Sequence, residues 1–325
     1  MKKHIVLCFD KNYTTPVIVL LKSLELSNKN DLFEIHIISP DAENVNFQNT
    51  ILTQNLNNFT YHFYNANQEL LKDCPVRKGD YINISTYYRI LLPSILPDDI
   101  ETVLYLDSDM LVTGNICSLW EINLNNKAAA VVPDIHYANP SEYSRLGISD
   151  STQGYFNAGF MLINLKYWRE NNIQNKTLSY IFNYPDRCKK HDQDALNYTL
   201  HNNLLYISHK YNYQRIFFCN YFNIPDCLKN DVIQSAYEPV IIHYCDLEKP
   251  WHYECFHPLK DIWIEIAKTI PTLNFNLSFK YKGLQKIKFI LRKILESLKI
   301  KKPVIISNKI DFLKLITNIN NNLGL

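Results

Sequence analysis

Glycine is scarce in this chain. There are seven in 325 residues, about 2% against a usual ~7%. No three of them fit the G-x-G-x-x-G spacing of a dinucleotide-binding turn. Gly154 and Gly159 have the spacing of a P-loop, but Phe160 and Met161 stand where Lys and Ser/Thr are required. Any nucleotide is therefore held without a glycine loop of either type. The eight cysteines form no C-x-x-C pair, which argues against a zinc ribbon or a thiol redox motif. No apolar run reaches the roughly 18 residues needed to span a bilayer. The apolar run 5–9 near the start ends at Asp10 and is too short for a secretion signal. Free thiols without such a signal imply a reducing, cytoplasmic setting.

What is present suits a packed globular protein. Apolar residues make up 46% and charged residues 20%, so disorder is not expected, and the length suits one large domain or two. Aromatics are abundant, with 22 Tyr, 16 Phe and 4 Trp, material for stacking and interfaces. The net charge of +2 hides an asymmetry. Residues 279–325 carry eleven Lys/Arg and two acids, whereas the rest carries 23 Lys/Arg and 30 acids. The body is mildly acidic and the carboxyl terminus basic, so no general nucleic-acid surface is indicated.

Short β-rich runs at 5–9, Phe33–Ser39, 58–64, Thr102–Leu106, 128–132, 160–165 and 240–243 alternate with helical segments. Pro16 suits the first position of a helix reaching about Ser27. Ser85 or Thr86 can cap a helix carrying Tyr88, Ile90, Leu91 and Leu92, and Asp192–Leu200 reads as a short helix. This alternation predicts an α/β architecture with a mainly parallel sheet. Ligands of such sheets sit beyond the carboxyl ends of the strands. Asp10 and Asn12, Asp107 and Asp109, Asp134, and His243 all stand at such ends.

Asp107 and Asp109, two apart in extended chain, can aim both carboxylates at one point. Two hard oxygen donors favour Mg²⁺ or Mn²⁺ over zinc. The plain alternative is a polar turn after a strand. An EF-hand is excluded by Leu111 and Val112. A phosphatase of the haloacid-dehalogenase type, with Asp107 as nucleophile, also fits the local string. That motif normally opens its domain, and here apparent α/β structure precedes it.

Seven blocks extend the pattern. They are Cys8-Phe9-Asp10-Lys11-Asn12-Tyr13; 84–90, reading ISTYYRI; Tyr105-Leu106-Asp107-Ser108-Asp109; Phe156-Asn157-Ala158-Gly159; 163–168, reading INLKYW; 192–197, reading DQDALN; and His243-Tyr244-Cys245 followed by Lys249-Pro250-Trp251-His252. Through these blocks the chain resembles glycosyltransferase family 8, notably the bacterial lipooligosaccharide and lipopolysaccharide α-galactosyltransferases. The resemblance implies a GT-A fold over 1–270, a UDP-hexose donor, Mn²⁺ (with Mg²⁺ as the alternative) and retention of anomeric configuration. It implies transfer of galactose or glucose to a glycan, or lipid-linked glycan, of the bacterial surface. A nucleotide-sugar-binding protein without turnover is the non-enzymatic alternative.

The resemblance also assigns roles. Asp107, Asp109 and His243 are its metal ligands, and Lys249 its phosphate contact. Asp10 receives the uracil edge, beside Cys8, Asn12 and Tyr13. Arg89, Ser108, Asp134, Asn157, Ala158, Asp192 and Gln193 surround the donor, with Asp192 and Gln193 nearest the catalytic role. Each has a plainer reading. Asp10 and Asp192 can cap helices, Arg89 can form a structural ion pair, His243 can be an ordinary core histidine and Lys249 a surface lysine. Double displacement needs a nucleophile, and the amide of Gln193 is a poor one. A same-face route, in which the leaving phosphate takes the incoming hydroxyl's proton, needs none. The chain departs from the family after Cys245, where Asp246 stands close to a usual glycine.

Residues 271–325 are expected to form a basic helical extension. Leu284, Ile287, Ile290, Leu291, Ile294, Leu295 and Leu298 share one side of a helix, with Lys286, Lys288, Arg292, Lys293 and Lys299 elsewhere. Such a helix suits an anionic membrane surface on the cytoplasmic side. It suits equally a helix packed on the body with a solvated basic face. Pro303 is expected to end it, with a further short helix at 310–316.

Overall fold

The computed structural model describes residues 2–66, 68–76, 84–134, 140–148, 154–218, 224–273, 275–300 and 311–325. Among the described residues ten strands form two sheets: β1 Lys3–Cys8, β2 Phe33–Ser39, β3 Phe59–Asn65, β4 Thr102–Leu106, β5 Met110–Val112, β6 Ala129–Pro133, β7 Phe156–Asn164, β8 Leu204–Tyr206, β9 Tyr213–Gln214 and β10 Ile241–His243. The larger sheet has the order β3-β2-β1-β4-β7-β6-β8, and the smaller the order β5-β10-β9. In the larger sheet only β7 is antiparallel to its neighbours, β4 and β6.

Both faces of the larger sheet are covered, as its continuous apolar strands require. On one face Val6, Ile38, Val103, Tyr105, Val131 and Met161 pack with Leu91, Trp168, Ile181 and Leu196. On the other, Ile5, Leu7, Ile37, Leu104, Leu106 and Leu162 pack with Leu20, Leu21 and Leu24 of the helix Thr14–Ser27. Each such side chain contributes about 1.5–3 kcal/mol by burial. The smaller sheet places Leu111, Tyr213 and Ile242 against Trp263 and Ile266 of the helix Lys260–Lys268. Leu315, Ile319 and Leu323 of the last helix, Phe312–Leu323, join this cluster.

Strand order reverses between β1 and β4, so their carboxyl ends open a crevice of the kind that receives ligands. Because β7 runs the other way, its amino end lies beside the exit of β4. Leu106 pairs with Phe160, and the Asp107 amide donates to the Gly159 carbonyl at 2.8 Å. In the smaller sheet His243 pairs with Met110, and the Tyr244 amide donates to the Asp109 carbonyl at 3.0 Å. Two sheets thus meet at residues 107–109.

Several local expectations need correction. The first long helix starts at Thr14, two residues before Pro16, which sits inside the first turn where its missing N–H costs nothing. The segment Ile84–Leu91 is a 3₁₀ helix, followed by the short α-helix Leu92–Ile95. Thr86 does not cap it; its hydroxyl donates to Asp192 Oδ1 at 2.7 Å. β7 starts at Phe156 rather than Phe160, so Asn157, Ala158 and Gly159 are strand residues. The final helix extends well past the expected 316, while Pro303 and residue 310 lie outside the described residues.

Candidate active site

The crevice encloses a cavity of about 180 Å³. Cys8, Tyr13, Arg89, Asp107, Ser108, Asp109, Asn157, Ala158, Asp192, Gln193, His243 and Lys249, all expected at the site, line it. Three expected residues do not. Asn12 is exposed on the turn after β1. Asp10 accepts the Asn12 amide at 2.8 Å and so caps that turn. Asp134 is buried behind the wall.

Asp107, Asp109 and His243 bring one ligand atom each to within 4.8 Å of one another. His243 Nε2 lies 3.2 Å from Asp109 Oδ1 and 3.8 Å from Asp107 Oδ2. Asp109 Oδ1 is buried, and among the described residues it has no hydrogen-bond partner. Gly159 makes room for this cluster. A Cβ there would fall 2.5 Å from His243 Cε1 and 2.7 Å from Asp107 Oδ2. An orphaned buried carboxylate oxygen in a cradle of two carboxylates and one imidazole fits a hard divalent cation.

A polar chain behind the cluster sets the histidine's state. Asp134 Oδ2 can only accept, so the Asn157 amide nitrogen, 3.2 Å away, donates to it. That turns Asn157 Oδ1 toward the Gly159 amide at 3.1 Å and toward Asn212 Nδ2 at 2.9 Å. Asn212 then presents Oδ1 to His243 Nδ1 at 2.9 Å. His243 therefore carries its proton on Nδ1 and points the Nε2 lone pair at the two carboxylates. Asn212 is fully buried, and sequence reading did not find it. No local signal separates it from other asparagines.

Charge around the cluster is balanced by two buried cations. Arg89 lies 3.1 Å from Asp107 Oδ1 and 2.9 Å from Asp192 Oδ2, donates to the Ala158 carbonyl at 2.5 Å, and covers the Tyr105 ring at 4.5 Å. The Tyr105 hydroxyl donates to Asp107 Oδ1 at 2.7 Å. Lys249 donates to Asp109 Oδ2 at 2.6 Å and to the Tyr244 carbonyl at 2.8 Å. Burial resists ionisation of Asp109, but the Lys249 ammonium outweighs it and holds the carboxyl well below its ordinary range. Burial pushes the Asp192 carboxyl up against the pull of Arg89 and Thr86. The Cys8 thiol is pushed far up by burial, so it is inert.

Asp192 does not cap its helix. His191 occupies that position with a positive φ of 54° and no side-chain cap. Gln193 is pinned from two sides. Its Oε1 accepts the Ala158 amide at 3.0 Å and its Nε2 donates to Asp134 Oδ2 at 3.3 Å. Asp194, also missed from sequence, is fully buried and accepts from both Arg145 terminal nitrogens at 2.9 Å and from the Tyr155 hydroxyl at 2.8 Å. Asp246, the departure noted after Cys245, turns to Arg215 and makes a two-point ion pair.

The cluster at the crevice and the doubly covered sheet define a class. The architecture is the GT-A fold shared with solved glycosyltransferase structures. A galactosyltransferase, LgtC, solved with donor and acceptor sugar analogues, aligns with a TM-score of 0.70 at 24% identity, covering 88% of this chain and 99% of that one. The family model for glycosyl transferase family 8 matches residues 4–255, and the chain belongs to that family. Among curated relatives, a lipopolysaccharide 1,3-galactosyltransferase of Salmonella typhimurium is 29% identical over 280 residues, 83% of this chain and 79% of the relative. A lipopolysaccharide 1,2-glucosyltransferase of Escherichia coli K12 is 27% identical over 254 residues, 77% and 72% respectively. General stress protein A of Bacillus subtilis is 28% identical over 269 residues, 79% and 90%. The chain is accordingly a glycosyltransferase, and neither the phosphatase nor the non-catalytic alternative finds support in these relatives.

Proposed function

We propose that this glycosyltransferase moves galactose or glucose from UDP-hexose to a hydroxyl of a bacterial surface glycan, with retention of configuration. The observation that carries the reading is the convergence of Asp107, Asp109 and His243, with Asp109 Oδ1 buried and without a hydrogen-bond partner among the described residues. The two lipopolysaccharide relatives transfer these hexoses by name. A divalent cation held by the three residues, Mn²⁺ or alternatively Mg²⁺, supplies neutralising charge to the diphosphate as it leaves.

The chain's own groups do the rest. Cys8 and Tyr13 form the uridine end, with Asp10 capping the turn that carries Asn12 and Tyr13, and Tyr13 stands edge-on to Trp251 at 5.9 Å. Lys249 contacts the phosphates beside Ser108. Asn157, Ala158, Asp192 and Gln193 position the hexose, Asp134 holds Asn157 and Gln193 from behind the wall, and Arg89 locks Asp192 and Asp107 in place. A pinned amide at Gln193 and an ion-paired carboxylate at Asp192 favour the same-face route. The acceptor oxygen bonds to the anomeric carbon as the bond to UDP breaks, and the acceptor's proton passes to the departing phosphate.

The proposal places the enzyme in the cytoplasm, on the inner face of the membrane. No helix among the described residues is long and apolar enough to cross a bilayer. The helix Gly283–Ser297 buries no residue and exposes Leu284, Ile287, Leu291 and Ile294. It meets the body through its other side, where Phe289 packs on Phe256 at 6.1 Å and Lys286 covers the Phe279 ring at 3.9 Å. An outward apolar face flanked by lysines supports docking on anionic lipid.

The test is a screen of UDP-sugars with Mn²⁺, reading UDP release. Release from UDP-galactose or UDP-glucose that stops on chelation is expected. No release from any UDP-hexose, or phosphate release from a monoester instead, refutes the proposal.

A further inference from the structure

A second depression lies away from the crevice, between the helix Ile173–Asn183 and the carboxyl end of the helix Asp192–Leu200. Its volume is about 640 Å³, larger than the crevice cavity. Three tyrosines wall it. Tyr198 stacks on Tyr180 with ring centroids 3.9 Å apart, and Tyr184 lies 5.4 Å from Tyr180. Tyr180 is buried and anchored, its hydroxyl donating to the Leu146 carbonyl at 2.6 Å. Tyr184 and Tyr198 remain 44% and 41% exposed, Tyr184 with the Arg187 guanidinium over its ring at 4.5 Å, a large exposure for neighbouring aromatic rings.

The remaining lining is polar but almost uncharged. Exposed amides of Asn183 and Asn202 offer both donors and acceptors. Thr199 Oγ1, buried in this wall, has no hydrogen-bond partner among the described residues. Lys176 is the one Lys, Arg, Asp or Glu among the described lining residues, and Arg187 at the edge is spent on the Tyr184 ring. A phosphorylated ligand needs more cations than this, and an apolar segment of protein needs apolar walls. Rigid aromatic faces interleaved with amides and hydroxyls suit a molecule with apolar C–H faces and an equatorial rim of hydroxyls.

We propose that this tyrosine-walled groove binds a neutral oligosaccharide, holding part of the acceptor glycan remote from the bond being made. The inference rests on the glycan-acceptor reading above. The groove and the crevice share one rigid element. Asp192 and Gln193 start the helix that presents Tyr198 and Thr199 at its other end, about 9 Å of axial rise away. A glycan held at Tyr198 is thereby anchored in fixed relation to the donor sugar. Stacking on an exposed ring keeps the saccharide in register while leaving its reacting hydroxyl free.

The test applies full-length protein to a printed array of short neutral gluco- and galacto-oligosaccharides. Wild type is expected to bind a subset, and Asp109→Asn to bind the same subset. Tyr198→Ala and Tyr184→Ala, each checked for fold by circular dichroism, are expected to lose about tenfold in binding. Both variants are expected to release UDP from the donor into water at the wild-type rate. A blank array for wild type, or binding unchanged in both tyrosine variants, overturns the proposal. Array binding without UDP release from any UDP-hexose refutes the donor reading instead and leaves the groove standing.

Discussion

Asn212 is buried behind His243 and decides which nitrogen of that imidazole faces the carboxylate pair. Asn212→Leu keeps the volume and removes the acceptor 2.9 Å from His243 Nδ1. The imidazole then carries a buried unpaired donor, costing about 1–3 kcal/mol, or swaps its proton onto the nitrogen that must bind the cation. Loss of such an outer partner typically weakens metal binding about 10–100-fold, or about 1.4–2.7 kcal/mol. The assay is Mn²⁺ titration of UDP release at saturating donor. The apparent Mn²⁺ constant is expected to rise within that range, with the rate at saturating Mn²⁺ less affected. Asn212→Asp keeps the acceptor but loses the donor to Asn157 Oδ1, 2.9 Å away, and is expected to fall between the two. A wild-type Mn²⁺ constant in Asn212→Leu refutes the account of how His243 is poised.

Gly159→Ala places a methyl 2.5 Å from His243 Cε1 and 2.7 Å from Asp107 Oδ2, so Mn²⁺-dependent UDP release is expected to vanish while circular dichroism stays unchanged. His36 and His257 are held down to about 3, in both by burial above all, with the His4 and His62 imidazoles beside His36 adding to it and with Arg215 adding to it at His257 against the pull of Asp246. As pH falls from about 6.5 toward 3 the unfolded chain takes up protons that these folded sites refuse, so each removes up to about 1.4 kcal/mol of stability per pH unit. Urea unfolding midpoints are therefore expected to drop across that window, and His36→Phe to flatten the drop; a pH-independent wild-type midpoint contradicts this. Full-length protein is expected to pellet with anionic liposomes at low salt and to stay in solution at high salt. Replacing Leu284, Leu291 and Ile294 by Ser is expected to abolish pelleting without lowering UDP release.

Legibility in the sequence followed element length and burial. Phe33–Ser39, Thr102–Leu106 and Asp192–Leu200 were readable to the residue because each is a sustained pattern with clear ends. β5, β8 and β9 span two or three residues, too few for any period to show. The start of β7 was hidden because Asn157 and Gly159 resemble loop residues. They occupy strand positions because the site needs a polar side chain and a bare backbone there. Direction is likewise invisible to composition, so the reversal of β7, which brings Asn157 to the exit of β4, could not be foreseen. The carboxylate pair was legible from spacing, and His243, Lys249, Asp192 and Gln193 through the family blocks. Asn212 was not, since its role exists only once the two sheets meet, and neither were Asp194 and Tyr155, whose pairing exists only once the helix Asp192–Leu200 packs beside β7.

The most direct measurement is an anomalous difference map from a crystal grown with Mn²⁺ and UDP. One manganese peak bonded to Asp107, Asp109 and the Nε2 atom of His243, with the diphosphate against Lys249, is the predicted result. UDP bound with manganese elsewhere, or with His243 turned to present Nδ1, contradicts it.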